Sequence, residues 1–426
     1  MKGKISSILA FLAVLLAFPT IGRAQFVMSG ELRPRAEFRH GYKAPAFDGM
    51  TPAAFISQRS RINLNYKDEK MKAGISLQDV RVWGNVTQMN VSDNNFSVHE
   101  AWGEYFFTPT LSFKAGRMEL VYDDSRMLGN VDWAQQARSH DIGLLKWQPG
   151  TWKIHGGLAF NQDKERLDDR LYYVAGNYKS MQMLWINHSW EILEMSLLAL
   201  NTGNHNRLEN GQVVVYDTRF TQTLGGTGTL KVHPVTLNAS IYKQTGKDVP
   251  DIKVDALMYA ANAKLVLSKA LSITAGIENL SGTSQKNASP NVTNSFNPLF
   301  GTNHKFNGHM DYYYVGNHIN SVGLQDIFVK LNFGKGIVSM GTDLHLFSAA
   351  ADIVDPKNPG NVMSKNLGQE IDAYLAIKLA GNVTLNAGYS QYLTTASVIA
   401  LKGGSQDLTS YWAWASLTFK PTFFEH

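Results

Sequence analysis

The 426-residue sequence contains no cysteine, which excludes disulfide scaffolds, thiolate metal centres, iron–sulfur ligation and cysteine nucleophiles together. Beyond residue 24 no apolar run approaches the ~20 residues that a membrane-spanning helix needs. There is no arginine after Arg219, no repeat of fixed period, no G-x-S-x-G phrase and no cofactor fingerprint. Nor is the chain strongly basic. Its net charge is +5, and Lys2, Lys4 and Arg23 supply three of those charges from a segment read below as removable. That balance gives no support to nucleic-acid binding, which shows a dense basic patch or a recognisable module.

What is present begins with residues 1–24, MKGKISSILAFLAVLLAFPTIGRA: two lysines, an apolar core from Ile8 to Phe18, Pro19, then small residues at Gly22 and Ala24. This is the plan of a secretory signal peptide cleaved after Ala24, leaving a mature chain from Gln25. Residues 25–426 then read as one domain.

Period two dominates the remainder. Phe26, Met28, Gly30, Leu32, Pro34, Ala36 and Phe38 share one face, and Ser29, Glu31, Arg33, Arg35, Glu37 and Arg39 share the other. Ile62, Leu64 and Tyr66 likewise oppose Arg59, Arg61, Asn63 and Asn65, and Ile371, Ala373, Leu375 and Ile377 oppose Glu370 and Asp372. A strand with one apolar and one charged face needs a hydrophobic medium on one side only. The pattern predicts 18 strands: 26–38, 58–67, 71–82, 98–107, 111–119, 139–147, 152–161, 176–187, 190–201, 216–231, 235–244, 254–267, 270–279, 320–333, 336–346, 368–380, 382–392 and 409–419.

Their connections alternate. Short ones follow residues 67, 107, 147, 187, 231, 267, 333 and 380. Long ones fall at 39–57, 83–97, 120–138, 162–175, 202–215, 245–253, 280–319, 347–367 and 393–408. Short turns at one end and long loops at the other, with an even strand number, predict an all-β transmembrane antiparallel barrel with periplasmic turns and extracellular loops. Tyr105, Phe106, Phe107, Trp147, Trp152, Trp185, Trp190 and Phe333 lie beside short turns, where an interfacial aromatic girdle belongs. An open edge in hydrocarbon would leave unpaired amides, so the last strand must close on the first. In that strand Tyr411, Ala413, Ala415, Leu417 and Phe419 are expected in lipid, and Trp412 and Trp414 in the lumen.

Three stretches carry a resemblance: KAGRMELVYDDSRMLGNVDWAQQARSHD (114–141), NPLFGTNHKFNGHMDYYYVGN (297–317) and LGQEIDAYLAIKLAGNVTLNAGYSQYL (367–393). With them the chain resembles the alginate export family of outer-membrane barrels, in the branch typical of Bacteroidota. The resemblance implies a monomeric 18-stranded barrel in the outer membrane whose basic lumen passes a polyuronate chain, with long loops that gate it. It also implies assembly by the barrel-assembly machinery and contact with outer-membrane lipid.

The pore-lining, anion-binding candidates are Arg33, Arg35, Arg59, Arg61, Arg81, Arg117, Arg126 and Arg138, with acidic lumen partners Glu31, Glu37, Glu100, Glu104, Glu119 and Asp123. A guanidinium holds a carboxylate bidentately at any relevant pH, so a run of weak sites lets an anionic saccharide or small anionic solute slide through. The alternative is that the carboxylates neutralise the arginines and leave a general or small-carboxylate porin. All arginines sit in the first half of the barrel, which predicts a narrower and less electropositive channel than the family's alginate exporters. His99, His140, His188, His205 and His309 are scattered, so no catalytic set and no cofactor is expected. Asp123, Asp124 and Asp132 lack EF-hand spacing and read as a solvated turn beside Arg126 and Arg138 rather than a metal site. Phe300, Gly301, Phe306 and Gly308 give the 280–319 loop an end that can fold into the lumen or rim.

Overall fold

The computed structural model describes residues 24–167, 174, 176–210, 213–249, 251–314 and 321–426. The expected signal peptide lies outside them except for Ala24. The first strands are β1 (Gln25–His40), β2 (Ala53–Lys67), β3 (Met71–Val82), β4 (Phe96–Phe106), β5 (Leu111–Met118), β6 (His140–Trp147) and β7 (Trp152–Phe160). Next come β8 (Ser180–Ser189), β9 (Leu193–Asn210), β10 (Val213–Val232), β11 (Val235–Asp248), β12 (Ile252–Val254), β13 (Ala256–Val266) and β14 (Leu271–Leu280). The last are β15 (Val292–Thr293), β16 (Leu324–Lys335), β17 (Val338–Ser348), β18 (Asn366–Ala380), β19 (Val383–Thr394), β20 (Ser410–Phe419) and β21 (Thr422–Glu425).

All belong to one sheet of 21 strands. β12, β15 and β21 are short additions, and the other 18 close into an antiparallel barrel. Closure runs through β1, whose Arg35 to His40 pair with Ser416 to Tyr411 of β20, while Val27 and Met28 pair with Glu425 and Phe424 of β21. No strand edge of the barrel is left open, as hydrocarbon requires.

The alternation seen in the sequence sets the two faces. Leu32, Phe38, Ile62, Leu344 and Ile371 are exposed outward, whereas Arg35, Glu37, Arg59, Glu370 and Asp372 are buried within the lumen. Around the short-turn end Tyr105, Phe107, Trp147, Trp152, Trp190 and Phe333 are exposed. Trp185 departs from the predicted girdle: it is buried and its indole donates to Asp123 at 3.0 Å. Phe106 also turns inward, under the Lys72 ammonium at 5.0 Å.

The hairpins joined by short turns match the predicted order. Between β16 and β17 two residues suffice, with Gly336 at φ 62°, the left-handed geometry that a two-residue hairpin turn demands. One long connection is absent. Within the predicted loop, residues 202–210 and 213–215 instead continue β9 and β10, which stay paired from Leu193↔Leu230 out to Asn210↔Val213. The 393–408 loop holds a short helix, α1 (Ala396–Lys402), capped by Thr395.

Candidate channel constriction

The site is assembled by β1, β2 and two loops that turn into the barrel. Register places Arg33 opposite Arg59, and Glu31 opposite Arg61. Like charges facing each other across a strand pair repel, and here the 119–139 loop answers with Asp132. Its carboxylate lies 3.2 Å from Arg33 and 2.7 Å from Arg59, and Glu31 meets Arg59 at 2.6 Å. Burial would raise the Asp132 carboxyl, but the Arg59 and Arg33 guanidiniums hold it at about 2.

The same loop is pinned along its length. Arg35 donates to the Trp133 carbonyl at 2.6 Å, places its guanidinium 4.0 Å over the Trp133 ring, and pairs with Glu37 at 2.9 Å. Gln135 accepts from Arg33 at 3.1 Å and donates to Ser57 at 3.0 Å. Arg61 donates to Gln78 at 2.8 Å and has Glu119 at 3.9 Å. The 119–139 segment, predicted as an extracellular loop, is thus rooted at the long-loop end but folded into the lumen.

The 281–323 loop meets it there. Leu128 and Phe300 form a parallel backbone bridge, Val131 donates to the Thr302 hydroxyl at 3.1 Å, and Arg138 donates to the Gly301 carbonyl at 3.2 Å. Arg126 pairs with Glu278 of β14 and lies 3.4 Å over the Phe306 ring. Asn307 donates to Glu278 and Asp326, each at 3.3 Å, and the Met310 amide donates to Glu370 at 2.7 Å. The aromatic-glycine end of the loop therefore sits in the lumen, as its composition allows. Among the described residues, seven of the nine non-glycine positions with positive φ fall in these two loops, Val131 at 53° and Asn307 at 54° included. A β-branched residue there is strained, so the plate is held by its contacts rather than by local preference.

The predicted site residues divide into three groups. Arg33, Arg35, Arg59 and Arg61 line the lumen wall, and Arg126 and Arg138 lie inside the loop plate. Arg81 and Arg117 do not line the lumen. Arg81 sits on the face of β3 opposite the inward Gln78 and pairs with Asp79 and Asp93, and Arg117 pairs across to Asp141 at 2.9 Å on the outer face. Glu31, Glu37 and Glu119 meet arginines, whereas Glu104 accepts from Lys146 at 2.8 Å and Glu100 accepts from the Glu119 amide at 3.0 Å. Burial raises the Asp123 carboxyl, which takes the Trp185 indole hydrogen bond. Asp123, Asp124 and Asp132 are not brought together, and no metal-holding group of His, Asp and Glu exists among the described residues.

Sequence reasoning put Glu370 and Asp372 on a polar face but carried none of the carboxylates of the later strands, three to six strands round the barrel from β1, into the site. Glu278, Asp326, Asp343, Glu370 and Asp372 are buried on the lumen faces of β14, β16, β17 and β18. The signal was available, since each alternates with a lipid-facing apolar residue. Arg126, Lys330 and His345 pair with Glu278, Asp343 and Asp326, so both signs of charge are present along this stretch of the lumen too.

The family model described as alginate export matches residues 25–333. No curated protein matches the sequence. Among solved structures, OccAB4 of Acinetobacter baumannii has a TM-score of 0.60 at 12% identity, covering 95% of this chain and 100% of that one. OccD3 (OpdP) of Pseudomonas aeruginosa has a TM-score of 0.59 at 11% identity, covering 94% of this chain and 92% of that one. The chain belongs to the alginate export family, and the barrel around this constriction is an outer-membrane channel rather than an enzyme.

Proposed function

We propose that the channel passes anionic saccharides or other carboxylated solutes by passive diffusion, a polyuronate such as alginate being the family's own example. One observation carries this reading: four guanidiniums, Arg33, Arg35, Arg59 and Arg61, stand on the paired lumen faces of β1 and β2. Arg33 and Arg35 also border a 380 Å³ cavity with Lys420, and Lys264 and Lys305 border a neighbouring one of 670 Å³. Low-dielectric walls focus such a field and raise the local anion concentration. In this reading residues 1–24 are removed on export, and the barrel-assembly machinery inserts a monomer.

A weakly selective porin is the competing reading, favoured by the contacts of Glu31, Glu37 and Glu119 with these arginines. Reversal potentials across planar bilayers under a salt gradient separate the two. The wild type is expected to prefer anions, and Arg33→Gln/Arg35→Gln to lose most of that preference, with larger openings because both residues also hold the 119–139 loop. A cation-selective wild type, or a preference untouched by the double change, sinks the reading.

A further inference from the structure

A row of stacked groups crosses the lumen from β1 to β18. The Arg35 guanidinium lies 4.0 Å over one face of Trp133, and the His304 ring stacks on the other face at 4.4 Å and 14°. His309 follows His304 at 5.3 Å and 23°, then meets Tyr374 of β18 at 5.6 Å. Tyr374 in turn lies on Gly341, where a β-carbon would collide with its ring. The row is thus backed by the barrel wall at both ends.

Trp133 is braced along its edge as well. Trp412 and Trp414 of β20 stand against it at 5.4 and 4.7 Å, inclined by 90° and 68°. The Trp412 indole donates to Glu37 at 3.0 Å, and Trp414 lies on Gly388, where a β-carbon would stand 2.5 Å from its nitrogen. The backbone beside the Trp133 ring is tied down too: Asp132 meets Arg33 and Arg59, the Trp133 carbonyl accepts from Arg35, and Gln135 bonds Arg33 and Ser57.

Three cavities meet at this row. One of 410 Å³ opens among Tyr42, Lys43, Asn85 and Tyr314, at the long-loop end. The 380 Å³ cavity reaches Gly381 and Asn382, and the 670 Å³ cavity reaches Ser268 and Lys269, so both lead to short turns. Arg35 is shared by the 410 and 380 Å³ cavities, and His304 by the 410 and 670 Å³ cavities. Trp133 alone borders all three, whereas His309, further along the row, borders only the 670 Å³ cavity among them. The plate is therefore thinnest at Trp133, where one side chain stands between spaces that lead to opposite ends of the barrel.

We infer that solute crosses the plate at Trp133 and that the Trp133 ring sets the size limit of the channel. Pore diameter at the narrowest ring of side chains decides what passes, and here that ring is an indole on a fastened backbone. This holds for whichever ion the channel prefers, because an uncharged solute meets the same obstruction.

Liposome swelling with glucose, sucrose and raffinose tests it. In the wild type the rate is expected to fall steeply from the monosaccharide to the trisaccharide. Trp133→Ala should raise the raffinose rate about tenfold and single-channel conductance about twofold. Trp102, another lumen indole, lies on Gly74 under Lys114 and away from the row, so Trp102→Ala should stay within about 1.5-fold of the wild type. The larger openings of Trp133→Ala should be quiet, since the backbone anchors remain. Trp133→Cys, in a chain without other cysteines, should conduct like Trp133→Ala and return toward the wild type when benzyl methanethiosulfonate puts a ring back.

If heat-modifiable migration shows these variants unassembled, Trp133→Phe carries the test, with a raffinose rate raised about threefold. An unchanged size dependence overturns the inference, as does an equal rise in Trp102→Ala. Noisy openings that the reagent does not reverse also overturn it, because they assign the effect to loop docking. Reversal potentials judge the anion reading and sugar rates judge the size limit, so each can fail alone.

Discussion

Arg59 of β2, fully buried, and Asp132 of the inward loop meet at 2.7 Å and fasten the constriction to the barrel wall. The contact is long-range in sequence, and it converts an opposed pair of arginines into a closed set with a shared carboxylate. Glu31 completes the set, 2.6 Å from Arg59 and 3.7 Å from Arg33.

Arg59→Gln should therefore loosen the 119–139 loop without unfolding the barrel. Losing a charged hydrogen-bond partner costs about 1.5–3 kcal/mol, which falls on loop docking, so single-channel traces should show larger and noisier openings. Quiet, wild-type conductance in this variant would mean that the hydrogen bonds from Arg35 to the Trp133 carbonyl and from Gln78 to the Gln136 carbonyl suffice.

Asp132 also sets an acid limit. Its carboxyl is held at about 2, below the ~3.9 of a free aspartate, so its contribution is complete at neutral pH and is lost only as pH falls through about 2. The difference in conductance between the wild type and Asp132→Asn should stay level from about pH 8 to about pH 4 and change only below that. The part of the change below about pH 4 that belongs to Asp132 should be missing in Asp132→Asn. A transition near neutrality that survives this substitution would assign the loop's closure to another group.

The faces of β20 can be compared directly. Leu417→Arg puts a charge into lipid at a cost of about 2–4 kcal/mol near the bilayer centre and less toward the interface, whereas Trp414→Arg points into the lumen. Heat-modifiable migration should show the Leu417 variant impaired and the Trp414 variant folded. The reverse order would mean a register shifted by one residue.

Orientation is accessible because the chain has no cysteine. Lys286→Cys in the 281–323 loop should react with an impermeant thiol reagent on intact cells. Lys335→Cys, at a short turn, should react only after the outer membrane is opened. Labelling at position 335 alone would invert the barrel.

By itself the sequence determined the strands, their two faces, the order of the hairpins and the place of Arg33, Arg35, Arg59 and Arg61 on the inner wall. These follow from period two, which is local: a residue's neighbours two positions away already say which medium it meets. The same rule, applied strictly, also puts Arg81 and Arg117 outside and the carboxylates Asp326, Asp343 and Glu370 inside. Only the tertiary structure decided that the 119–139 loop and residues 296–312 turn inward and lock together, that Trp185 leaves the girdle for Asp123, that 202–210 and 213–215 extend as paired strands, and that Trp414 and Tyr374 lie on glycines of neighbouring strands. Those outcomes rest on partners far apart in the chain, such as Arg33 with Asp132 and Arg126 with Asn307, separated by 99 and 181 residues. No local pattern encodes such pairs, because their energy exists only once the closed barrel has brought its walls face to face.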